Sequence, residues 1–258
     1  MKNRITELFA SKKKSIINVY YTAGFPSLSD TITIAQSLEK AGADILEIGI
    51  PFSDPVADGP TIQASNKVAL DNGMTLHLLL DQIKEIRKTV KLPIILMGYI
   101  NPVLQYGVEK FAKDISALAV DGLILPDLPL HEFEEQYKEL FASLNLCNTF
   151  LISPTTSEER IRKIDDATEG FIYAVSASSI TGAKGEFSKE QILYFERLQN
   201  MSLKNPFLIG FGISNKSTFV NASQYSSGAI IGSAFINLLN DSKDLDTDIQ
   251  TFVKQFKA

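Results

Sequence analysis

Residues 15–41 read Ser-Ile-Ile-Asn-Val-Tyr-Tyr-Thr, then Ala-Gly-Phe-Pro-Ser-Leu-Ser, then Asp-Thr-Ile-Thr-Ile-Ala-Gln-Ser-Leu-Glu-Lys-Ala. The first part is rich in apolar and β-branched residues, which is typical of a buried strand. The middle part contains glycine and proline, which favour a turn. The last part has apolar residues at helical spacing. The stretch therefore predicts a strand, a turn and a helix in succession.

The same succession recurs along the whole chain. Eight strands are predicted, at Ser15–Thr22, Asp44–Ile50, Pro93–Met97, Asp121–Leu125, Asn148–Ile152, Phe171–Val175, Pro206–Ile209 and Ser227–Ile231. Helices are predicted between them, at Asp30–Ala41, Leu76–Val90, Val108–Leu118, His131–Leu144, Ser157–Asp166, Lys189–Gln199 and Asn215–Ala222.

Eight apolar strands alternating with helices indicate a parallel sheet with the helices outside it. Eight such units in a chain of 258 residues favour a closed (β/α)₈ TIM barrel, with a doubly wound open sheet as the alternative. An additional helix at Arg4–Lys13 precedes the first strand and could cover the barrel bottom. No linker or change of composition divides the chain, so we expect residues 1–258 to form one domain.

Composition excludes several function classes. A net charge of −5 argues against a nucleic-acid binder, which needs a basic surface. The only cysteine, Cys147, lies in an apolar run and is expected to be a buried core residue rather than a nucleophile. His77 and His131 fall in separate helices, so no metal site is expected. The apolar run Ser15–Tyr21 is too short to span a membrane, and a reducing, cytoplasmic location is expected.

The second strand carries a carboxylate where an apolar side chain is usual. Glu47 stands inside Ile45-Leu-Glu-Ile48, and a buried carboxylate is costly unless it is paired or neutral. It could be paired with a buried Lys or Arg. Alternatively, its pKa is raised and it serves as a general acid or base.

The loop after this strand carries Asp54 and Asp58 among prolines and a glycine. Such a loop has a defined path, and in a barrel it lies at the mouth, where active sites are found. Either carboxylate could reach over the mouth. Each could equally be a solvated turn aspartate.

The last two strands end in glycine-bearing turns, Gly210-Phe-Gly-Ile-Ser214 and Gly232-Ser-Ala234, and the second turn is predicted to open a short helix. Glycine lets backbone amides approach a ligand, and amides at a helix N-terminus bind phosphate. Many barrels bind phosphate after strands seven and eight. The turns therefore predict a phosphate site, although tight turns without a ligand would have the same composition.

Strand six carries Tyr173 and is followed by small polar residues and glycines from Ser176 to Gly185, a composition typical of a mobile lid. Tyr173 could bind substrate or simply pack in the strand. Several apolar or aromatic residues near other strand ends could line a pocket for a flat apolar group, or belong to the core: Tyr20, Met97, Tyr99, Leu125 and Phe211.

The segment Glu47-Ile-Gly-Ile-Pro-Phe-Ser-Asp-Pro-Val-Ala-Asp-Gly-Pro-Thr-Ile-Gln63 resembles the signature of the tryptophan synthase alpha subunit family. The resemblance continues through Tyr21–Gly24, Met97–Pro102, Leu125–Pro129 and the two glycine turns. It implies a lyase of tryptophan biosynthesis that cleaves indole-3-glycerol phosphate to indole and glyceraldehyde 3-phosphate.

The resemblance also implies roles for residues. Glu47 would transfer protons, Asp58 would hold the indole N–H, and Tyr173 would lie near the substrate hydroxyls. The lid residue Thr181 would close onto Asp58. Residues around the phosphate and the indole ring would be Gly182, Phe211, Gly212, Gly232, Ser233, Tyr20, Ile62 and Met97.

A partner follows from the same resemblance. The family works with a beta subunit that carries pyridoxal phosphate, in an α₂β₂ complex, and the alpha chain itself carries no cofactor. The loop Ser53–Gly59 matches the segment that contacts the partner, so Asp54 and Pro55 are candidate interface residues.

The chain departs from the family pattern without losing either carboxylate. Val19 stands where proline is usual, Phe25 replaces a frequent acidic residue, and Ala177 and Ser179 alter the lid, 176–190. Two alternatives have different sequence requirements. A sugar-phosphate isomerase or epimerase would share the glycine turns but would not need both carboxylates. A non-catalytic activator of a beta subunit would not need to retain Glu47 or Asp58.

Overall fold

The strands of the sheet lie within one residue of their predicted bounds. The computed structural model describes residues 2–176 and 187–257. Its strands are β1 (Ile16–Thr22), β2 (Ile45–Gly49), β3 (Ile94–Met97), β4 (Gly122–Ile124), β5 (Cys147–Thr149), β6 (Leu151–Ile152), β7 (Ile172–Val175), β8 (Phe207–Gly210) and β9 (Gly228–Ile231).

All described strand pairs are parallel, in the order β5-β4-β3-β2-β1-β9-β8-β7-β6. The two end strands, β5 and β6, are separated only by Phe150, so they are two halves of one barrel strand. The ring of eight strands therefore closes at Phe150. The predicted (β/α)₈ barrel is confirmed, and the open doubly wound sheet is wrong.

Helices surround the barrel. They are α1 (Arg4–Ser11), α2 (Asp30–Ala41), α3 (Pro60–Asp71), α4 (Leu76–Ile86), α5 (Ile100–Tyr106), α6 (Val108–Ala117), α7 (Leu130–Glu132), α8 (Lys138–Ser143), α9 (Glu158–Ala167), α10 (Lys189–Asn200), α11 (Lys216–Tyr225), α12 (Ser233–Asp241) and α13 (Leu245–Lys254). Helices α3, α5 and α13 were not among the predicted elements. Among the described residues, no helix has the length and apolar character needed to cross a membrane.

The helix predicted at His131–Leu144 is interrupted. Between α7 and α8, residues Phe133–Tyr137 form a π-helical turn, in which the Lys138 N–H donates to the Phe133 carbonyl. Such a turn contains one more residue than an α-helical turn. The extra residue lets both Phe133 and Phe141 face the barrel, where their rings pack edge to face at 5.7 Å. Phe133 also packs on Phe150, at the point where the ring closes.

The N-terminal helix closes the bottom of the barrel, as expected from the sequence. Ile5 and Phe9 of α1 are buried. Because side chains alternate along a strand, every second residue of each strand points inward. The buried cluster that contains Ile5 and Phe9 also contains one or two residues from most strands, among them Ile16, Ile45, Ile95, Ile124, Cys147, Leu208 and Ile230.

A buried carboxylate ties α1 and α4 to this end of the barrel. Asp121 precedes β4 and its side chain is 2% exposed. It accepts hydrogen bonds from Arg87 Nη2 at 2.7 Å, from Arg4 Nη1 at 3.2 Å and from the Ile94 N–H at 2.9 Å. Arg87 also donates to the carbonyl of Ala119. Removing the carboxylate would leave the Arg87 guanidinium partly buried without its counter-charge.

We therefore expect Asp121→Ala to lower the free energy of unfolding by about 3–5 kcal/mol, the usual cost of removing one partner of a buried ion pair. Urea denaturation measures this value. Asp71→Ala is the matched control, because its pair with Lys67 is exposed, and it should change stability little. Equal losses in the two variants would contradict the role assigned to Asp121.

Candidate active site

Glu47 lies on β2 inside the barrel and is fully buried. Its Oε2 accepts a hydrogen bond of 2.6 Å from Asn18 Nδ2, whereas Oε1 has no hydrogen-bond partner within the described residues. No Lys or Arg in residues 2–176 and 187–257 forms an ion pair with it, so the pairing alternative is not supported there. Burial raises the pKa of Glu47 to about 8, the Asn18 hydrogen bond opposes this rise, and the Asp58 charge adds to it. At neutral pH Glu47 is therefore mainly protonated.

Asp58 is held in place rather than solvated in a turn. The hydroxyl of Tyr99 donates to Asp58 Oδ2 at 3.3 Å and accepts the Ala57 N–H at 3.0 Å. The Tyr99 ring stacks on Phe52 at 5.1 Å, which fixes the hydroxyl in turn. Burial raises the pKa of Asp58 to about 6, and the Tyr99 hydrogen bond opposes the rise. Between about pH 6 and pH 8, Asp58 is mainly ionised while Glu47 is mainly protonated.

Two glycines make room for two tyrosines inside the barrel. A Cβ atom at Gly210 would lie 2.4 Å from the Tyr173 ring, and one at Gly49 would lie 2.3 Å from the Tyr20 hydroxyl. Both distances are far below van der Waals contact. Burial raises the pKa of each tyrosine well above its ordinary value, so both hydroxyls stay protonated at neutral pH.

The two glycine turns have unusual backbone conformations. Phe211 and Gly212 have φ angles of +70° and +75°. The left-handed region costs a residue with a side chain about 1–3 kcal/mol, so the conformation at Phe211 points to a functional constraint. Gly232 precedes α12, and no side chain caps that helix. Because the Phe235 N–H already donates to the Gly232 carbonyl, the amides of this turn that an anion could contact are those of Ser233 and Ala234.

These groups surround one cavity of about 380 Å³. Of the predicted catalytic and substrate-binding residues, all those that the structure describes line it: Tyr20, Glu47, Asp58, Ile62, Met97, Tyr173, Phe211, Gly212, Gly232 and Ser233. Thr181 and Gly182, together with Ala177 and Ser179, lie outside the described residues.

The sequence-based set omitted five further lining residues: Ile213, Ser214, Ile230, Ala234 and Asn237. Ile230 could have been found from the inward alternation along β9. Asn237 lies four residues after Ser233 on α12, so helical spacing places both on one face.

The loop after β2 presents one candidate interface residue to solvent and buries the other. Asp54 is exposed, but Pro55 is buried. Val56, which follows, is 87% exposed. If a partner binds this loop, its contacts fall on Asp54 and Val56, and Pro55 supports them from beneath.

The next question is whether the described residues contain a cluster of side chains that could bind a metal ion. Across residues 2–176 and 187–257, no three His, Cys, Asp or Glu side chains are grouped to hold a metal ion. His77 lies on α4 against Tyr106, and His131 is exposed on α7. Cys147 is buried as predicted, and burial raises the pKa of its thiol to about 12.

Comparison with known proteins identifies relatives along nearly the whole chain. A family model described as "Tryptophan synthase alpha chain" matches residues 6–258. The tryptophan synthase alpha chain of Flavobacterium johnsoniae is 54% identical over 99% of this chain and 100% of its own length. That of Phocaeicola vulgatus is 51% identical over 95% of each chain.

Solved structures agree. A chain of tryptophan synthase from M. tuberculosis has a TM-score of 0.87 and 28% identity, covering 99% of this chain and 98% of its own. A mutant tryptophan synthase alpha-subunit from Pyrococcus furiosus has a TM-score of 0.86 and 32% identity, covering 95% of this chain and 98% of its own.

The raised pKa of Glu47 predicts a pH-dependent stability. Between about pH 4.5 and pH 8 the unfolded chain ionises Glu47 while the folded chain keeps it protonated, so the free energy of unfolding falls as pH rises. Glu47→Gln removes this loss. Its stability relative to the parent should grow across that window by a few kcal/mol, since one pKa unit is about 1.4 kcal/mol, and then level off. Urea denaturation at pH 5, 6.5, 8 and 9 measures the difference.

The matched control is Glu134→Gln, which removes an exposed carboxylate. Its stability relative to the parent should not vary with pH. A difference between Glu47→Gln and the parent that stays constant from pH 5 to pH 9 would show that the Glu47 pKa is not raised.

Proposed function

The chain belongs to the tryptophan synthase alpha chain family, and we propose that its Glu47 and Asp58 divide the work of the alpha reaction. That reaction is the retro-aldol cleavage of indole-3-glycerol phosphate to indole and glyceraldehyde 3-phosphate, a step of L-tryptophan biosynthesis. One observation carries the division of labour. Two carboxylates share a largely apolar cavity, but their pKa values differ, so one is an acid and the other an anion at neutral pH.

Glu47 is the proton-transferring residue. In its protonated form it donates to the indole ring carbon that bears the glycerol chain. The resulting carboxylate then takes the proton of the adjacent glycerol hydroxyl. The carbon–carbon bond breaks, its electron pair restores the indole ring, and the hydroxyl carbon becomes the aldehyde. Glu47 ends protonated, ready for another turnover, and Oε1, which has no hydrogen-bond partner among the described residues, is the oxygen left to exchange protons with the substrate.

Asp58 stabilises the charge that this protonation creates. Once the ring carbon is protonated, positive charge develops on the indole nitrogen. The hydrogen bond from the indole N–H to the ionised Asp58 carboxylate is stronger when the ring carries this positive charge than when the ring is neutral. An interaction that strengthens in the transition state lowers the barrier. The Tyr99 hydroxyl holds Asp58 Oδ2 and leaves its other oxygen for the substrate.

The remaining cavity residues bind the rest of the substrate. Tyr20, Ile62, Met97 and Phe211 form the ring pocket, and Tyr173 contacts the glycerol hydroxyls. Backbone amides near Gly212, Gly232 and Ser233 hold the phosphate. No Lys or Arg side chain is among the described residues that line the cavity, which supports binding by amides. Thr181 and Gly182 complete the proposed site, although they lie outside the described residues.

A beta subunit that carries pyridoxal phosphate is the proposed partner, in an α₂β₂ assembly, with no cofactor in this chain. The name "alpha chain" of the relatives implies such a partner, and one similar solved structure is titled a tryptophan synthase complex, from Pyrococcus furiosus. The proposed contact is at the loop that contains Asp58, where Val56 is 87% exposed, because a partner that covers the loop would bury this apolar side chain. A single domain over residues 1–258 and a cytoplasmic location belong to the same proposal.

We expect Glu47→Gln to lower indole release from indole-3-glycerol phosphate by a factor of about 10²–10⁴, because amide cannot exchange the two protons. Asp58→Asn should lower it by about 10²–10³, because a neutral amide stabilises the developing charge poorly. Indole is measured directly after incubation with purified protein. Binding of glyceraldehyde 3-phosphate should persist in both variants.

The control for these variants is Glu109→Gln, an exposed carboxylate on α6, which should retain parental turnover. Near-parental turnover in folded Glu47→Gln would show that this residue does not transfer the protons.

For the partner, we expect Val56→Asp to weaken binding of the beta subunit at least tenfold, because a charge replaces an apolar contact. Calorimetric titration with purified beta subunit measures the change. Leu193→Asp is the matched control, since Leu193 is 65% exposed on α10. Equal affinity of both variants for the beta subunit would exclude the loop as the contact.

A further inference from the structure

Asn18 is a polar residue in an otherwise apolar part of β1. It is fully buried and shares the inward face of the strand with Ile16 and Tyr20. Burying an amide costs free energy unless it is hydrogen-bonded. Yet Asn18 does not line the cavity, so it does not touch a ligand there. Its polarity must serve a group inside the protein.

That group is Glu47. Asn18 Nδ2 donates to Glu47 Oε2 at 2.6 Å, and such a hydrogen bond is stronger when the carboxyl is ionised. It is the only hydrogen bond to the Glu47 carboxyl within the described residues. Asn18 therefore holds Oε2, whereas Oε1 has no hydrogen-bond partner within the described residues.

The other groups that face Glu47 do not stabilise its ionised form. Asp58 is itself a carboxylate, and Tyr20 and Tyr173 interact with it through like charge if they ionise. Among the described residues that line the cavity there is no Lys, Arg or His. The amide of Asn18 is thus the stabilising contact for a Glu47 carboxylate in this region.

An amide can also serve the protonated carboxyl. Asn18 Oδ1 is buried and has no hydrogen-bond partner in the described part of the chain, so no contact fixes which end of the amide faces Glu47. A half-turn about the Cβ–Cγ bond would present Oδ1 as an acceptor for a carboxyl O–H. Leucine or valine could fill the same space but could do neither.

We propose that Asn18 is a positioning residue that holds Glu47 through both of its protonation states, donating to the carboxylate and accepting from the carboxylic acid. The proposal rests on the proposed function, in which Glu47 gives up a proton and takes one back in each turnover. Asn18 contacts no reacting atom and acts through Glu47 alone.

The test is to titrate Glu47 in the parent, in Asn18→Leu and in Asn18→Asp. Carboxyl infrared or ¹³C NMR spectroscopy monitors the titration in the absence of substrate. Glu47→Gln identifies its signal. In Asn18→Leu both forms of Glu47 lose their partner, but the carboxylate loses the stronger, charge-assisted hydrogen bond, so the Glu47 pKa should rise by about one unit. In Asn18→Asp, which keeps the volume, a second carboxyl replaces the donor, and the apparent pKa should also rise.

Asn148→Leu is the matched control. Asn148 is another buried asparagine of the barrel, on β5, and forms no hydrogen bond with Glu47. It should leave the Glu47 titration unchanged. In steady-state assays the two Asn18 variants should lower kcat by at least tenfold with little change in KM, and move the pH profile upward, which a loss of packing alone would not do.

If the Glu47 pKa in Asn18→Asp or folded Asn18→Leu stays within about 0.2 units of the parent, the proposal is overturned. If Asn18→Leu does not fold, Asn18→Asp decides. Failure of the proposed function is distinguishable, because it shows as turnover in Glu47→Gln, whereas the titration needs no substrate. An equal pKa rise in Asn148→Leu would also overturn the proposal, since the effect would then not depend on the contact.

Discussion

The interior of this closed parallel barrel is filled at one end and contains a cavity at the other. Alternation directs every second side chain of each strand inward, whatever the function requires. At the bottom these positions hold large apolar residues, with Ile5 and Phe9 of α1 inserted between them. At the top, Gly49 and Gly210 have no side chains, and the rings of Tyr20 and Tyr173 occupy the space next to them. The cavity exists because of this exchange of volume between neighbouring strands.

The same closure determines the electrostatics of the site. Glu47 is far from solvent because it is inside a ring of strands, and its charged form is disfavoured for that reason. Asp58 belongs to a loop above the ring, where burial is partial and Tyr99 supplies a hydrogen bond. Two carboxylates of similar intrinsic acidity thus reach different protonation states mainly because they differ in burial, with hydrogen bonds opposing the rise at each. No Lys, Arg or His is among the described residues that line the cavity with these two carboxylates.

Much of this arrangement could be predicted from the sequence. Continuous apolar strands gave the barrel and strand bounds, because each strand is buried on both faces. A carboxylate within such a strand indicated the position of Glu47. The signature segment supplied the roles, which periodicity alone could not.

Other features depend on contacts that no local pattern reveals. The π-helical turn at Phe133–Tyr137 accompanies the packing of Phe133 on Phe150, a residue outside this helical segment. The burial of Pro55 and the clamp of Tyr99 on Asp58 depend on how a loop folds back over β3. The hydrogen bond between Asn18 and Glu47 joins two strands through their interior faces, and its partners are 29 positions apart in sequence.

The fit of Tyr20 against Gly49 and of Tyr173 against Gly210 also restricts how this sequence can change over time. A methyl group at either glycine would overlap the facing tyrosine, so the tyrosine would have to shift or be replaced by a smaller residue. Exchange of the tyrosine first opens a void that a later alanine could fill. At each pair, the space available to one residue therefore depends on the size of the other.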